Sequence, residues 1–460
     1  MELRTRLGVR MNLPALAILA AALSLPACTS VSILPPPVAD LRPCDISQET
    51  KLTAGQPGVI VGKKIVISTP IRLKEGDPNL VIVARDDLDV RANILFPTRM
   101  PTPHAKSVNI TLVSLNGSVT IAKGITVGGG KAANGPAGNN RTPPGFGVQG
   151  ANLKIYGLSI FAKGILIGNE GGDGGNYTFT GLSIYPAGSK GPLFAGIGGP
   201  GGNIGLCATE VIEIASATAG MGGVAGGLRS SWNVPGLTPP MVFGANGGPG
   251  GDVLIHGAKP KGPRVAVQFG QATGGKGGLG GLVNHAAFSG TGVLSRSGDS
   301  AWAMGGYGGT GGTVTFRHAV VGQMGPVTAG DGASGGPGIA RGADGPNASV
   351  FWAIPGGSAT AHGGHGGFPG ARPDVPTQTG NVDGVKGKPG GGGTARAISG
   401  AGGNGHIAWP AGANSGTAIA IGGANGLGQK NPPPFASAGP IPAVGGTGGG
   451  RATAVDPGTP

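Results

Sequence analysis

A Gly-Gly-x-Gly-Gly run recurs along this chain, with copies beginning at Gly171, Gly198, Gly247, Gly308 and Gly445. Most copies feed into an apolar or aromatic residue that opens an alternating stretch. Gly198–Ile204 reads GGPGGNI and Gly247–Val253 reads GGPGGDV, so these two are near twins. A turn-rich punctuator placed repeatedly ahead of period-2 segments marks a repeat architecture rather than a mixed globular domain. It constrains shape strongly and chemistry weakly.

Glycine accounts for 100 of 460 residues and proline for 40. Such a composition without a strict Gly-X-Y period is typical of low-complexity chains. Two features oppose disorder. Only 12% of residues are charged, and mean hydropathy is slightly positive, whereas disordered chains combine low hydrophobicity with high charge. The apolar residues, mostly Val, Ile and Ala, also fall on alternate positions. Helical periodicity is absent beyond residue 40, and glycine every few residues would cost a helix about 1 kcal/mol per position. The expectation is an all-β chain, a parallel solenoid with glycine-rich corners.

The N-terminus reads as a targeting segment. Arg4, Arg6 and Arg10 form a positive region ahead of the apolar run Leu13–Leu25. That run is shorter than the ~20 residues that span a bilayer. It ends in Leu25-Pro26-Ala27-Cys28, which resembles a bacterial lipobox, with Pro26 in place of the usual small residue. The resemblance implies cleavage after residue 27, lipidation of Cys28 and, with Thr29 beside it, sorting to an outer membrane. The alternative is an ordinary secretory signal. Residues 28–55, with Pro35-Pro36-Pro37, are expected to be a tether and lead-in segment. Export would permit a disulfide between Cys44 and Cys207, but with no framework or metal-ligand spacing around them free or buried thiols are expected.

The regular region opens with Val59-Ile60-Val61, Ile65-Val66-Ile67 and Ile71-Arg72-Leu73, three strand-like runs about six residues apart. The plan repeats at Leu80–Val83, Leu88–Val90 and Ile94-Leu95, again from Val108 to Val127, and again from Leu153 to Ile167. Ala122–Gly128 aligns with Ala162–Gly168. In strand pattern this resembles the parallel β-helix of the pectate-lyase-like superfamily. The resemblance implies coils that bury alternate side chains and are stabilised by stacking on their neighbours. The glycine blocks, among them 128–147, 171–176, 244–251 and 305–312, read as insertions at one corner. There they are expected to stack as polyproline-II-like helices, with mobile loops as the alternative. Organisation is expected as signal peptide (1–27), tether (28–55), regular solenoid (56–340), weaker Ala/Gly-rich coils (341–428) and a Pro/Gly-rich tail (429–460).

Chemistry-bearing motifs are sparse. Asp87 and Asp89 lie two apart in Arg85–Arg91, so they share one strand face. Paired carboxylates suit glycan hydrolysis, but the opposing reading is a solvated face outside Leu88 and Val90. Gly247–Ile255 fits a calcium-binding nonapeptide with Asp252 as ligand, although such sites need tandem copies. The alternative is a glycine turn capped by Asp252. His362-Gly-Gly-His365 offers two imidazoles for a weak metal site. Glu210 and Glu213 fall on opposite faces and make a poor pair. No nucleophile elbow, Walker loop or zincin motif occurs, and no cofactor is implied.

The charge of +13 fits anionic polymers of an envelope. Aromatics at 4% give no stacking platform for nucleic-acid bases. The expected partners are therefore the membrane, through the lipid anchor, and anionic polysaccharide or other envelope components. The sequence favours a cell-envelope lipoprotein acting as a structural or binding scaffold, adhesin-like, over an enzyme. The alternative is a polysaccharide lyase or hydrolase on a β-helix. In composition alone the chain is similar to glycine-rich mycobacterial surface proteins.

Overall fold

The computed structural model describes residues 58–74, 77–97, 107–139, 142–180, 193–232, 241–257, 264–287, 300–343, 358–399 and 417–426, with strands at Ala443–Val444 and Ala452–Val455. The described residues contain no helix. All named strand pairs are parallel except one hairpin, Asp374–Thr377 with Gly380–Asp383.

Three parallel ladders form the inner column. The first runs through Val59–Gly62, Leu80–Ala84, Ile110–Ser114, the start of Leu153–Ile167, the start of Ile204–Thr218, Val253–Gly257 and Val314–Arg317. The second joins Ile65–Ile67, Leu88–Val90, Ser118–Ile121, the middles of the two long strands, Val265–Thr273 and Ala319–Met324. The third runs from Ile71–Arg72 through Ile94–Leu95 and Thr126–Gly128 to Val327–Thr328. Consecutive strands thus alternate among three ladders, an arrangement compatible with a β-helix. Alternation decides what the column buries. Ile82, Leu88, Ile94, Ile110, Leu112, Val119, Ile155, Ile204 and Val253 are completely buried in one cluster.

Each glycine block is one arm of an out-and-back excursion from this column. After the third ladder the chain leaves through an outgoing arm, for example 168–176, and enters a strand of an outer sheet, Tyr177–Thr180. It re-emerges in a second outer sheet, Leu193–Phe194, and returns through a second arm, 195–203, to the first ladder at Ile204. The outgoing sheet stacks Tyr177–Thr180, Leu228–Trp232, Val283–Ala287, Gly338–Arg341, Ala395–Ile398 and Ala443–Val444. The return sheet stacks Leu193–Phe194, Val242–Phe243, Ala301–Met304, Ala359–His362, Ala418–Ile421 and Ala452–Val455. These sheets share a second core dominated by alanine: Ala301, Ala303, Ala340, Ala359, Ala361, Ala395, Ala397, Ala418 and Ala420. The alanine enrichment seen late in the sequence therefore belongs to this sandwich and not to fading coils of the inner column.

The arms themselves are ordered mainly by backbone hydrogen bonds, supplemented by side-chain caps such as Asp173 Oδ1 on the Val224 N–H and Asn246 Oδ1 on the Tyr307 N–H. Outgoing arms bond to the next outgoing arm in parallel, as in Gly171 N–H to Met221 O and Gly174 N–H to Val224 O, both 2.8 Å. Return arms do the same, as in Gly198 N–H to Asn246 O at 3.0 Å and Gly201 N–H to Pro249 O at 2.8 Å. The two layers are joined by antiparallel bonds: Gly223 N–H to Gly199 O, Gly248 N–H to Gly223 O, Gly278 N–H to Gly248 O and Gly309 N–H to Gly278 O, at 2.7–2.8 Å. Donors recur every third residue within an arm, and exposure recurs with the same period (Lys276 and Leu279; Tyr307 and Thr310). One residue in three therefore bonds its own layer, one bonds the other layer, and one faces solvent.

The absence of side chains permits this approach. A Cβ on Gly278 would lie 1.9 Å from the Gly223 carbonyl oxygen. Ala333 stands at the equivalent inward position of its arm, and its bond to Gly309 O, at 3.0 Å, is longer than its neighbours in the series. The array thus yields to a methyl group by a small amount. A branched side chain asks for far more, and overpacking of this kind costs about 1–3 kcal/mol. Gly278→Val should lower the thermal unfolding midpoint measurably. Gly391→Ala, where the nearest atom to a new Cβ is Ser334 Oγ at 3.4 Å, should leave it unchanged or slightly raised. Hydrogen exchange adds an independent check: complete exchange of the Gly223, Gly248 and Gly278 amides within seconds would contradict the lattice.

Candidate functional site

Asp87 and Asp89 both point away from the core formed by Leu88 and Val90, as their two-residue spacing requires. Each is already engaged. Asp87 Oδ1 accepts the Ser118 backbone N–H and its hydroxyl, both at 3.2 Å, and Oδ2 lies 3.5 Å from Lys64 Nζ. The Ser118 N–H above all, opposed by burial and aided by the Ser118 hydroxyl and Lys64, holds the Asp87 carboxyl below its ordinary range. Asp89 pairs with the Arg91 guanidinium at 2.7 Å. The residues in register with Asp89 on neighbouring rungs are Val66 and Thr120. A carboxylate kept ionised by structural donors is a poor general acid, and no second carboxylate sits across an adjacent rung.

Asp252 belongs to a ladder of side-chain amides. Asn79 Oδ1 accepts the Asn109 N–H, Asn109 accepts from Asn152, Asn152 from Asn203, Asn203 from Asp252 and Asp252 from Thr313, at 2.6–2.9 Å. Asp252 Oδ1 also takes the Thr313 hydroxyl at 2.9 Å. The residue signalled by the nonapeptide pattern thus occupies a repeated backbone-capping position just before the first ladder. No group of three metal-ligating side chains occurs among the described residues.

Cys207 is disulfide-bonded, which corrects the expectation of a free or buried thiol. Its partner lies outside the described residues, as do Cys28 and Cys44. The sequence lacked the cue because a lone distant pair has no spacing signature; the register places Cys207 on the first ladder between Tyr156 and His256.

His362 and His365 do come together with other groups, on the return side of the molecule. His362 is in register with Met304 and Ile421, and its ring centroid lies 5.5 Å from that of Trp302. Phe243 lies 4.8 Å from Trp302, and Phe194 5.3 Å from Phe243. His365 packs against Tyr307 at 5.2 Å and accepts the Ala424 N–H at Nδ1. Burial, with a smaller contribution from His365, lowers the His362 pKa, so this ring is neutral at neutral pH.

These residues are parts of one broad face. The third, solvent-facing position of the return arms carries Ile197 and Pro200, Asn246 and Pro249, Tyr307 and Thr310, His365 and Phe368. The outward-facing positions of the return sheet carry Phe194, which is exposed, and the half-buried Phe243, Met304, His362 and Ile421. Neither set contains Lys, Arg or Glu. Phe194 and Phe368 are each 52% exposed and Tyr307 41%. The outgoing layer differs sharply. Its equivalent positions mix charged residues, Lys131, Glu170, Lys276, Asp331 and Lys388, with the exposed apolar side chains Met221, Val224 and Leu279. Ion pairs Lys131–Asp173 and Lys276–Asp331 lie on this side, and the outgoing sheet exposes Arg229, Arg341 and Arg396. Among these positions, charge is therefore confined to the outgoing side, which also exposes apolar residues, and the return positions named above are uncharged and rich in aromatics. The sequence cue existed in Phe194, Phe243, Met304, His362 and Ile421, each of which stands immediately or almost immediately before a return arm.

His285 is a different case. It is completely buried in the alanine-rich core, and neither ring nitrogen has a hydrogen-bond partner; the Ser230 hydroxyl on the neighbouring rung also lacks one. Burial pushes its pKa down to about 4, with the nearby Ser230 backbone opposing. No protein-family model, curated protein or solved structure matches this chain.

The depressed His285 pKa makes stability pH-dependent. The unfolded chain takes up a proton near pH 6.5, while the folded chain resists until about pH 4. Stability is therefore complete above 6.5 and falls as pH drops through that window, by on the order of 3 kcal/mol from this residue. Unfolding midpoints at pH 7 and pH 4.5 should differ less for His285→Leu than for the natural chain. Equal falls would show that His285 does not titrate on unfolding.

Proposed function

We propose that this chain is a cell-envelope lipoprotein whose β-solenoid acts as a structural or binding module, with the uncharged aromatic face as its docking side. In this reading the three ladders close into a β-helix and the glycine arms are polyproline-II-like helices, for which the three-residue period of their hydrogen bonds is the support. The signal-like N-terminus and Cys28 supply the membrane anchor. The Cys207 disulfide supports export, because such bonds persist in oxidising compartments.

The observation that carries the binding role is the aromatic face itself. A contiguous exposed apolar surface is uncommon on a free soluble protein and marks an interaction site. Aromatic residues without charge among them are also what the centre of a binding surface contains. The positive charge of the rest of the chain favours anionic envelope polymers as the surroundings in which this face works. The cationic side would hold such polymers through long-range attraction, while the aromatic side supplies short-range contact.

Two experiments test this. The full chain, purified in detergent, is mixed with neutral and acidic polysaccharides and run by size-exclusion chromatography. Binding moves a polymer to larger apparent size, and the double variant Phe243→Ala/Trp302→Ala abolishes the shift. Movement to smaller size means cleavage and replaces this reading with the lyase or hydrolase alternative; no shift with any polymer removes the polysaccharide-binding role. Separately, Cys28→Ser should move the protein out of the membrane fraction and change its processing. Unchanged fractionation would remove the lipid anchor from the proposal.

A further inference from the structure

A cleft of about 220 Å3 lies where the first and second ladders meet the antiparallel hairpin, lined by Arg264, Phe316, His318, Asp374, Pro376 and Asn381. Its walls have separate origins. Arg264 precedes Val265–Thr273, Phe316 lies in Val314–Arg317, and Asp374 and Asn381 lie on opposite strands of the hairpin. Thr377 pairs with Val321, which fixes the hairpin against the second ladder. The floor is rigid: the Phe316 ring stacks on Phe269 at 5.7 Å and packs against the inner core.

Three observations set this cleft apart from the rest of the surface. Arg264, and Arg317 next to His318, have no ion-pair or hydrogen-bond partner among the described residues, so the Arg264 guanidinium is free to engage a ligand. Every other described positive φ belongs to glycine, whereas His318 holds φ 51°. Such a conformation is sparsely populated for residues with a side chain and concentrates at ligand sites. It is held from behind, where the His318 carbonyl accepts the Val265 N–H at 3.0 Å and stands only 2.3 Å from where a Cβ on Gly257 would be. Finally, Asn381 Nδ2 donates to Asp374 Oδ2 at 2.9 Å, which fixes a polar pair opposite the aromatic floor.

These groups match one ligand chemistry. A guanidinium fork recognises a carboxylate or phosphate. The Phe316 ring offers an apolar surface to a ring, and the Asp374–Asn381 pair offers acceptors and a carbonyl to hydroxyls. The volume is below the ~300 Å3 of a usual small-molecule pocket, so one ring fits and the remainder of any polymer would extend into solvent. We propose that this cleft binds a single polyhydroxylated ring carrying an oxyanion, a carboxylate or a phosphate, with Arg264 as the anion-binding residue and Phe316 as the platform. The site shares no residue with the aromatic face and does not depend on the lipid anchor, so either proposal can fail alone.

Saturation-transfer NMR and calorimetry on the full chain would use glucuronate, glucose 6-phosphate and glucose as probes. Glucuronate or glucose 6-phosphate should bind and glucose should not; whichever acid binds identifies the oxyanion. Arg264→Gln should weaken that binding about tenfold, equivalent to about 1.4 kcal/mol, and Asn381→Ala should weaken it while the unfolding midpoint stays unchanged. Arg229→Gln, on the outgoing sheet, should have no effect. The proposal is overturned by absence of binding for both acids, by equal binding of glucose, or by an equal loss in Arg229→Gln, which would reduce the effect to general positive charge.

Discussion

The fold depends on the amide-to-carbonyl bond between glycine arms that have no side chain to hold them apart. Every buried backbone donor and acceptor must be satisfied. A two-layer array of extended segments can achieve this only if the residues facing the other layer are bare. The sequence accordingly repeats glycine at two positions of three. The third position faces solvent and admits many residue types, among them Asp, Asn and His, whose side chains accept a backbone N–H of the next arm. This latitude lets the two sides of one array differ in chemical character. The outgoing side carries lysine and aspartate beside exposed Met221, Val224 and Leu279, and the return side carries aromatics, proline and threonine.

The same economy governs the two hydrophobic cores. The core shared by the three ladders buries mostly Ile, Leu and Val, with large side chains throughout. The outer sandwich is fed by arms only two layers thick, and its inward positions are mostly alanine. Small side chains bury little apolar area, at about 25 cal/mol per Å2, so the sandwich relies more on its strand ladders. A residue such as His285, with two unsatisfied nitrogens among alanines, weighs correspondingly more there than it would in the inner column. The ladder from Asn79 to Thr313 contributes in another way: each amide oxygen satisfies the backbone N–H of the next rung where the arm ends and the strand begins.

Much of the strand pattern was legible because alternation survives in short runs such as Val81–Val83 and Leu88–Val90. The glycine blocks were legible as ordered segments in principle, since bare backbones can pair. Their out-and-back course was not, because the partner of Gly174 is Val224 and nothing in either residue names the other. Asp252 was ambiguous for a physical reason: a turn-capping carboxylate and a calcium ligand require the same local Gly-rich loop, and the capping reading is the one its hydrogen bonds match. Cys207 and the cleft were beyond reach for a related reason. Both depend on which distant segments come into register, and the hairpin bearing Asp374 and Asn381 interrupts the repeat it adjoins. His362 and His365, read as two imidazoles in a loop, gain their meaning only beside Trp302 and Tyr307, which lie one rung away.

Successive rungs of the amide ladder are separated by 30, 43, 51, 49 and 61 residues, yet each advances the stack by one strand spacing. The surplus is spent sideways, in the excursion, and never along the axis. Tandem duplication of a whole excursion would extend all ladders, both glycine layers and both outer sheets together, and lengthen the molecule by a fixed step. Insertions between an outgoing strand and the return strand that follows it would enlarge an excursion without changing that step. Genes of this plan can therefore vary reach and excursion size independently, the first by copy number and the second by loop length.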